Sequence, residues 1–591
     1  MVISSLFLFS GTAVQAETVS LTGSQDSTKS WLTATSWSNG AEPSADNDYV
    51  VGNGYTLRTP TDSAHTFGGK SLTLGDDTSS GILYLKTAEK GTVTINNLCL
   101  VNGTIQQAVS YTTTLEGNIT VNGSGTIKGD PNSNNTRSLI VNAPISGSGT
   151  LTLDTPGQNH VIELNGNITG NDLTLAKTGS ATLLLTGDSN IKSMTQHGGN
   201  SKTGTTILTE TGSLRINNDD RGLELTNGAT FIIRGGVNSI VSGKDYLSGV
   251  KVDTGSTLSI EGGRTLMDRN GGNQPIYLLG SIDISDGELL LRGRTQNSIS
   301  FDNGSLTLSE NGKLSVISGN IEGNGTFNFK GGTLAALNQA DCPEWTFGGN
   351  STTSNWKLNI TTILGDGENG GTSTVEVSEG RAITFASAMS GTGTLKKTGT
   401  GTLTISGANT FTGGIELNAG TLKLANANAA GTGGITITGK NVTLDVGEAV
   451  VPLTIASTGT LSLDDMLTIT DFTWDGTWLE GIASTTDLGF IDADNVNLGE
   501  NVVLSLDILG FTPEDGNEFT ILTADNYAVE DGFDWNTLLD ESLLSNWNLK
   551  LVGNSVTLAY SNDTGVPEPA TWVMLALGMV GIVGARRFRK A

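Results

Sequence analysis

GTGTLKKTGTGTLTISGANTFTGGIELNAGTLKLANANAAGTGGITI, residues 391–437, is the stretch whose reading decides the fold. Its apolar residues come in short pairs two positions apart: Leu403 and Ile405, Ile415 and Leu417, Leu422 and Leu424, Ile435 and Ile437, with Leu395 ahead of them. A period of two places each pair on one face of an extended strand and turns the intervening threonines to the other. Glycine, asparagine and Ala-Gly steps separate the pairs, as tight corners require. Strands this short cannot bury an apolar face alone. Stacked coils can, and stacking also pairs the main chain of each coil with its neighbours.

The unit recurs outward from this stretch in degenerate form. Gly-x-Gly-Thr followed by an apolar residue stands at Gly123–Ile127, Gly147–Leu151, Gly323–Phe327, Gly391–Leu395 and Gly399–Leu403. KTGSATLLLTGDSN from Lys177 parallels KTGTGTLTISGANT from Lys397, and looser versions surround Gly212–Ile216, Gly255–Ile260, Gly304–Leu308 and Gly459–Leu463. The pattern predicts an all-β chain whose residues 61–440 form a right-handed parallel β-helix. At roughly 22 residues per coil that is about 17 coils, or about 80 Å of rod at the strand spacing. Residues 17–60 read as an N-terminal cap in which Trp31 and Trp37 cover the open edge of the first coil; the same rings are also candidates for stacking on sugars. Residues 441–562 carry more acid, four tryptophans (Trp474, Trp478, Trp535, Trp547) and fewer Gly-x-Gly steps, which predicts a distinct C-terminal β region.

Composition narrows the function. Of 591 residues, 80 are glycine, 11 are proline and only 15% are charged, with no collagen period. The net charge of -27 repels phosphate backbones, which argues against nucleic acid as a partner. Cys99 and Cys342 would lie about eleven coils, or roughly 50 Å, apart, far beyond the ~7 Å Cα separation a disulfide allows, so two isolated thiols are expected.

Both ends carry addresses. Residues 1–16, MVISSLFLFSGTAVQA, hold an apolar run from Val2 to Phe9 and then Val14-Gln15-Ala16, which predicts a signal peptide cleaved after Ala16, although no Lys or Arg precedes the run. Residues 563–591 form an anchor tail. Pro567-Glu568-Pro569 is followed by an uncharged stretch from Ala570 to Ala585 and then by Arg586, Arg587, Arg589 and Lys590. As a helix the stretch would rise about 24 Å, short of a hydrocarbon core of about 30 Å, with arginines able to snorkel across part of the difference. The basic cluster would stay cytoplasmic and place the body outside, with one C-terminal transmembrane helix.

This tail resembles the PEP-CTERM sorting signal in all three parts and in their order, and residues 391–437 resemble the autotransporter-associated β-strand repeat of passenger domains. The first resemblance implies an exosortase-type transpeptidase as partner, reading Pro567, Glu568 and Pro569, with the basic residues as the anchor stop. It also implies a Gram-negative-type host that makes exopolysaccharide, an inner-membrane intermediate, and a final place at the cell surface or in the extracellular matrix. The chain departs from autotransporters in showing no terminal barrel of amphipathic strands.

Catalytic chemistry has little to build on. His65, His160 and His197 sit in unrelated contexts and read as solvated or turn residues. Asp492-Ala493-Asp494 begins like a calcium loop but continues with Val496 and Asn497 where a ligand and a glycine belong. Asp464, Asp465, Asp471 and Asp475 could bind Ca²⁺ loosely; otherwise no cofactor, fixed metal or catalytic residue is expected. The sequence therefore points to an exported, non-enzymatic structural or adhesive protein. The alternative is a glycan-binding or glycan-degrading β-helix, which would need acids with Arg or Lys along one groove.

Overall fold

A computed structural model of the chain describes residues 16–562, except 89, 110, 131–136, 155–159, 199–203, 219–221, 243–248, 270–275, 342–354, 366–369, 440–441, 446–451, 457–458, 464–465, 485–487 and 509. The fold is a parallel β-solenoid of about 16 turns, with 62% of residues in strands and no α-helix among the described residues. Two compact units make it up, residues 1–414 and 415–591.

In the first unit, residues of successive coils stack in register. One column runs Tyr49, Leu72, Leu98, Ile119, Ile145, Ile168 and Ser189. Every member is buried, and all but the last are apolar or aromatic, so the period-two pairs of the sequence become continuous apolar ridges along the coil interior. Strands Gly91–Gln107 and Thr113–Lys128 are long enough to run through corners. The Gly-x-Gly-Thr steps are such corners. Gly147 has φ 128° and Gly323 has φ 126°, values that L side chains rarely adopt. At Gly147 a Cβ would also collide with the Val121 carbonyl of the neighbouring coil.

Coil length is not constant. Ala382 pairs with Thr402, about 20 residues on, whereas Thr333 pairs with Thr374, about 40 residues on.

The ladder is longer than the sequence pattern predicts at both ends. Thr18–Ser20 already pairs in parallel with Asp48–Val50, so stacking begins well before residue 61. In the second unit parallel pairing continues past 440. Leu453–Ile455 pairs with Phe472–Trp474, Met466–Trp474 with Phe490–Leu498, and Ile491–Asn497 with Leu522–Ala528. Only then does an antiparallel hairpin, Trp547–Val552 with Ser555–Tyr560, end the pairing. What changes after 440 is the filling of the coil rather than its topology: the Phe472 and Trp474 rings stack 6.0 Å apart, and Trp474 meets Trp478 edge-on at 5.2 Å. The backbone still approaches closely there, since a Cβ on Gly476 would strike the Ala456 carbonyl, and the larger rings fill the coil beside it.

At the N-terminal end Trp31, Trp37, Tyr49 and Phe67 form one aromatic cluster, with Trp31 against Phe67 at 5.4 Å and Trp37 against Tyr49 at 4.9 Å. Trp37 Nε1 donates to the Trp31 carbonyl at 2.8 Å. Trp31 is 0% and Trp37 2% exposed, so these rings are core and cannot stack on a sugar. Cys99 is a free, partly exposed thiol, while Cys342 lies outside the described residues. The predicted signal segment before Ala16 and the predicted membrane helix also lie outside them. Among the described residues no helix is long and apolar enough to cross a membrane.

Candidate functional site

The sorting residues Pro567, Glu568 and Pro569 and the basic residues Arg586, Arg587, Arg589 and Lys590 fall outside the described residues, and Ala16 is the first residue inside them. The structure does fix where the tail departs. Strand Ser555–Tyr560 ends the hairpin, and the next two residues are pinned. Asp515 Oδ1 accepts from Ser561 Oγ at 3.1 Å and from the Asn562 amide at 3.0 Å. The Ser561 amide donates to the Asn546 carbonyl at 2.8 Å. Pro567 follows Asn562 by five positions, at most about 17 Å of extended chain.

The repeat corners contain a feature that sequence reasoning missed. Lys177 and Lys397, the first residues of the two Lys-Thr-Gly steps, point into the coil and are 0% exposed. Lys177 Nζ donates to the carbonyls of Thr178 at 3.1 Å and Gly179 at 2.9 Å. Lys397 Nζ donates to Thr398 at 2.8 Å and Gly399 at 2.7 Å. The amine thus satisfies carbonyls that the left-handed glycine turns inward, at φ 82° for Gly179 and 70° for Gly399. Burial pulls both amines down to about 8, opposed at Lys177 by the nearby Asp154 carboxylate. In the coil that pairs with Lys177 the same position is Gln196, whose Nε2 donates to the carbonyls of Gly204 at 2.7 Å and Thr230 at 3.0 Å. A signal was available: Leu173, Leu175 and Lys177 fall on one period-two face, which commits the lysine to the interior.

The candidate catalytic residues do not converge. His65 lies 3.4 Å from the Asp62 carboxylate at the surface. His197 Nδ1 meets Thr226 Oγ1. His160 is only 3% exposed, with Nε2 2.7 Å from Gln107 Oε1, so it is a core residue rather than the solvated one the sequence suggests. Burial beside the turn of Gly129 explains the difference, since a Cβ on that glycine would strike the imidazole. Asp268 and Arg292 form a buried ion pair, Nη1 to Oδ2 at 3.0 Å, beside a small cavity lined by Ile240, Val250, Met267, Ile276 and Ser298. Asp471 accepts from Asn495 Nδ2, and Asp475 Oδ1 from the Asn501 amide and Nδ2. Asp464 and Asp465 lie outside the described residues. No three His, Cys, Asp or Glu side chains come together as metal ligands would, among the described residues.

Comparison with known families adds two matches. The PEP-CTERM protein-sorting motif matches residues 565–590. The passenger-associated transport repeat matches residues 395–424, which contain the Lys397 corner. No curated protein matches the chain. The two matched segments are those of an exported protein sorted to the cell surface, and the sorting motif is the kind that an exosortase-type system recognises.

Proposed function

We propose that this protein is a non-enzymatic structural or adhesive element of the cell surface or of an exopolysaccharide matrix. It is exported behind a signal peptide, held in the inner membrane by its C-terminal helix, and passed outward by an exosortase-like transpeptidase. The observation that carries the reading is the sorting motif at 565–590, placed directly after a β-solenoid. The passenger repeat supports it, because such repeats belong to exported chains. A solenoid suits such a role, because each coil adds outward-facing rows of threonine, serine and asparagine without needing a larger core. The charge of -27 keeps neighbouring copies apart and lets loosely held divalent cations such as Ca²⁺ bridge them.

Replacing Pro567, Glu568 and Pro569 together with alanine should leave export intact and trap the chain in the inner membrane, as read by cell fractionation. Unchanged arrival at the surface or in the matrix would overturn the sorting role. Deletion of the gene should weaken aggregation or attachment without removing growth on any glycan.

A further inference from the structure

One face of the first unit carries a regular, uncharged array of hydroxyl groups. Thr104, Thr126 and Thr152 stand opposite one another on three successive coils. Two positions earlier along the chain, Ser124, Thr150 and Thr174 form a second row, again in register. The residues between them, Gly125, Leu151 and Leu175 among these, are buried, so the hydroxyl-bearing side chains share the outer face. Neighbours stand about 4.8 Å apart across coils and about 6.7 Å apart along a strand.

Three further facts describe this face. The hydroxyls of Thr104, Thr126, Thr150 and Thr152 make no hydrogen bond to any other described residue, so the middle of the array is unspent. On a chain of net charge -27 the array itself has no charge, and the row beside it is neutralised internally by Lys128 and Asp154 at 3.1 Å. The array also has an edge: the Thr104 row passes through Ala176 and Thr195 to the ion pair of Glu224 and Lys251, 3.6 Å apart.

We infer that this face binds an extended, neutral, hydroxyl-rich polysaccharide. The proposal rests on the surface or matrix reading above and names the polymer and the contact. Each threonine offers a hydroxyl that both donates and accepts, next to a methyl group that packs on the C–H surface of a sugar ring. No aromatic platform lies in the array, so a single sugar binds weakly and affinity comes from repetition along the polymer. An anionic polymer would meet the field of the whole chain and be repelled.

The test uses the full chain in mild detergent, with swollen amorphous cellulose and insoluble dextran as neutral probes and alginate beads as the anionic one. Retention on at least one neutral polymer is expected, nearly unchanged between low and high salt, with little on alginate. The double variant Thr126→Val with Thr152→Val keeps the β-branched shape and removes two hydroxyls. It should bind about fivefold more weakly or worse, given repeated contacts of ordinary hydrogen-bond strength. The same change at Thr402 and Thr404, outside the array, should bind as the parent does. Far-UV circular dichroism confirms that each variant keeps its β signature. Retention on neither neutral polymer, preference for alginate, or equal loss from both double variants would each overturn the assignment. Fractionation reads sorting separately: a chain that reaches the surface but binds neither neutral polymer defeats this inference alone, and one that binds but is not sorted defeats only the sorting reading.

Discussion

Arg292 and Lys397 are both sealed inside the first unit, and they are held in opposite ways. Arg292 is 1% exposed, and its Nη1 donates to both oxygens of Asp268, at 3.3 and 3.0 Å. Lys397, like Lys177, donates instead to two neutral carbonyls of its own corner. The difference follows from proton chemistry. A guanidinium does not shed its proton within a protein, and at Arg292 the Asp268 carboxylate offsets the cost of burying that charge. An ammonium can shed its proton, and burial has already pulled both lysines down to about 8. The solenoid therefore sets a carboxylate against Arg292 and turn carbonyls against the two lysines, with the Asp154 carboxylate also near Lys177.

The largest effect should come from splitting the buried pair. Arg292→Met strands the Asp268 carboxylate in the interior and should cost about 3–5 kcal/mol, read as a lowered urea midpoint for the first unit. Adding Asp268→Leu to the same chain should recover most of the loss, because a matched apolar pair is often neutral or better than the ion pair it replaces. A double variant as damaged as the single one would mean that packing around the small cavity, and not the charge, sets the cost.

Removing a corner lysine should matter less. Lys177→Met or Lys397→Met leaves two carbonyls without their donor at a cost of about 1–3 kcal/mol. The lysines also give a dependence on pH that the arginine cannot. The folded value, about 8, lies below the ordinary value of 10.5, so the unfolded chain holds more protons between the two. The lysine contribution is thus fully present above 10.5, is lost as pH falls toward about 8, and adds no slope below that. Urea midpoints of the parent chain measured against a Lys177→Met, Lys397→Met double variant should differ in slope across this window and run parallel below it. Parallel curves throughout would mean that both amines stay charged on the carbonyls.

The same contrast shows how far the sequence could be read. The coil stack was legible because each strand announces itself by two apolar residues two positions apart, and corners by glycine. The sorting tail was legible because its three parts are contiguous. The inward lysines were within reach, since Leu395 and Lys397 share one face, yet a charged residue invites the opposite reading. The Asp268–Arg292 pair was not within reach. Its partners stand opposite each other on neighbouring coils, and coil length varies from about 20 to about 40 residues, so no fixed offset identifies them. The limits of the ladder were obscured for a related reason. Trp474 and Trp478 fill the coil where Gly-x-Gly steps had marked it before, and the shift in composition resembles a change of fold. The hydroxyl array needed register, which a degenerate repeat does not supply.

The smallest effect belongs to a cation that also has a carboxylate partner but stands at the surface. Arg234 Nε donates to Glu261 Oε2 at 3.0 Å, between neighbouring coils, but the two side chains are 43% and 35% exposed. Water already solvates both groups, and ordering two long side chains offsets much of their attraction, so such pairs contribute about 0–1 kcal/mol. Arg234→Gln keeps much of the stem that lies along the strand and removes the charge; it should move the urea midpoint by no more than this amount. What effect there is should shrink at 1 M salt, where screening acts within about 3 Å, whereas the cost of Arg292→Met should persist because salt reaches a buried pair far less. A loss at Arg234 comparable to that at Arg292, and equally indifferent to salt, would show that pairing across coils, rather than burial, decides what a cation is worth in this solenoid.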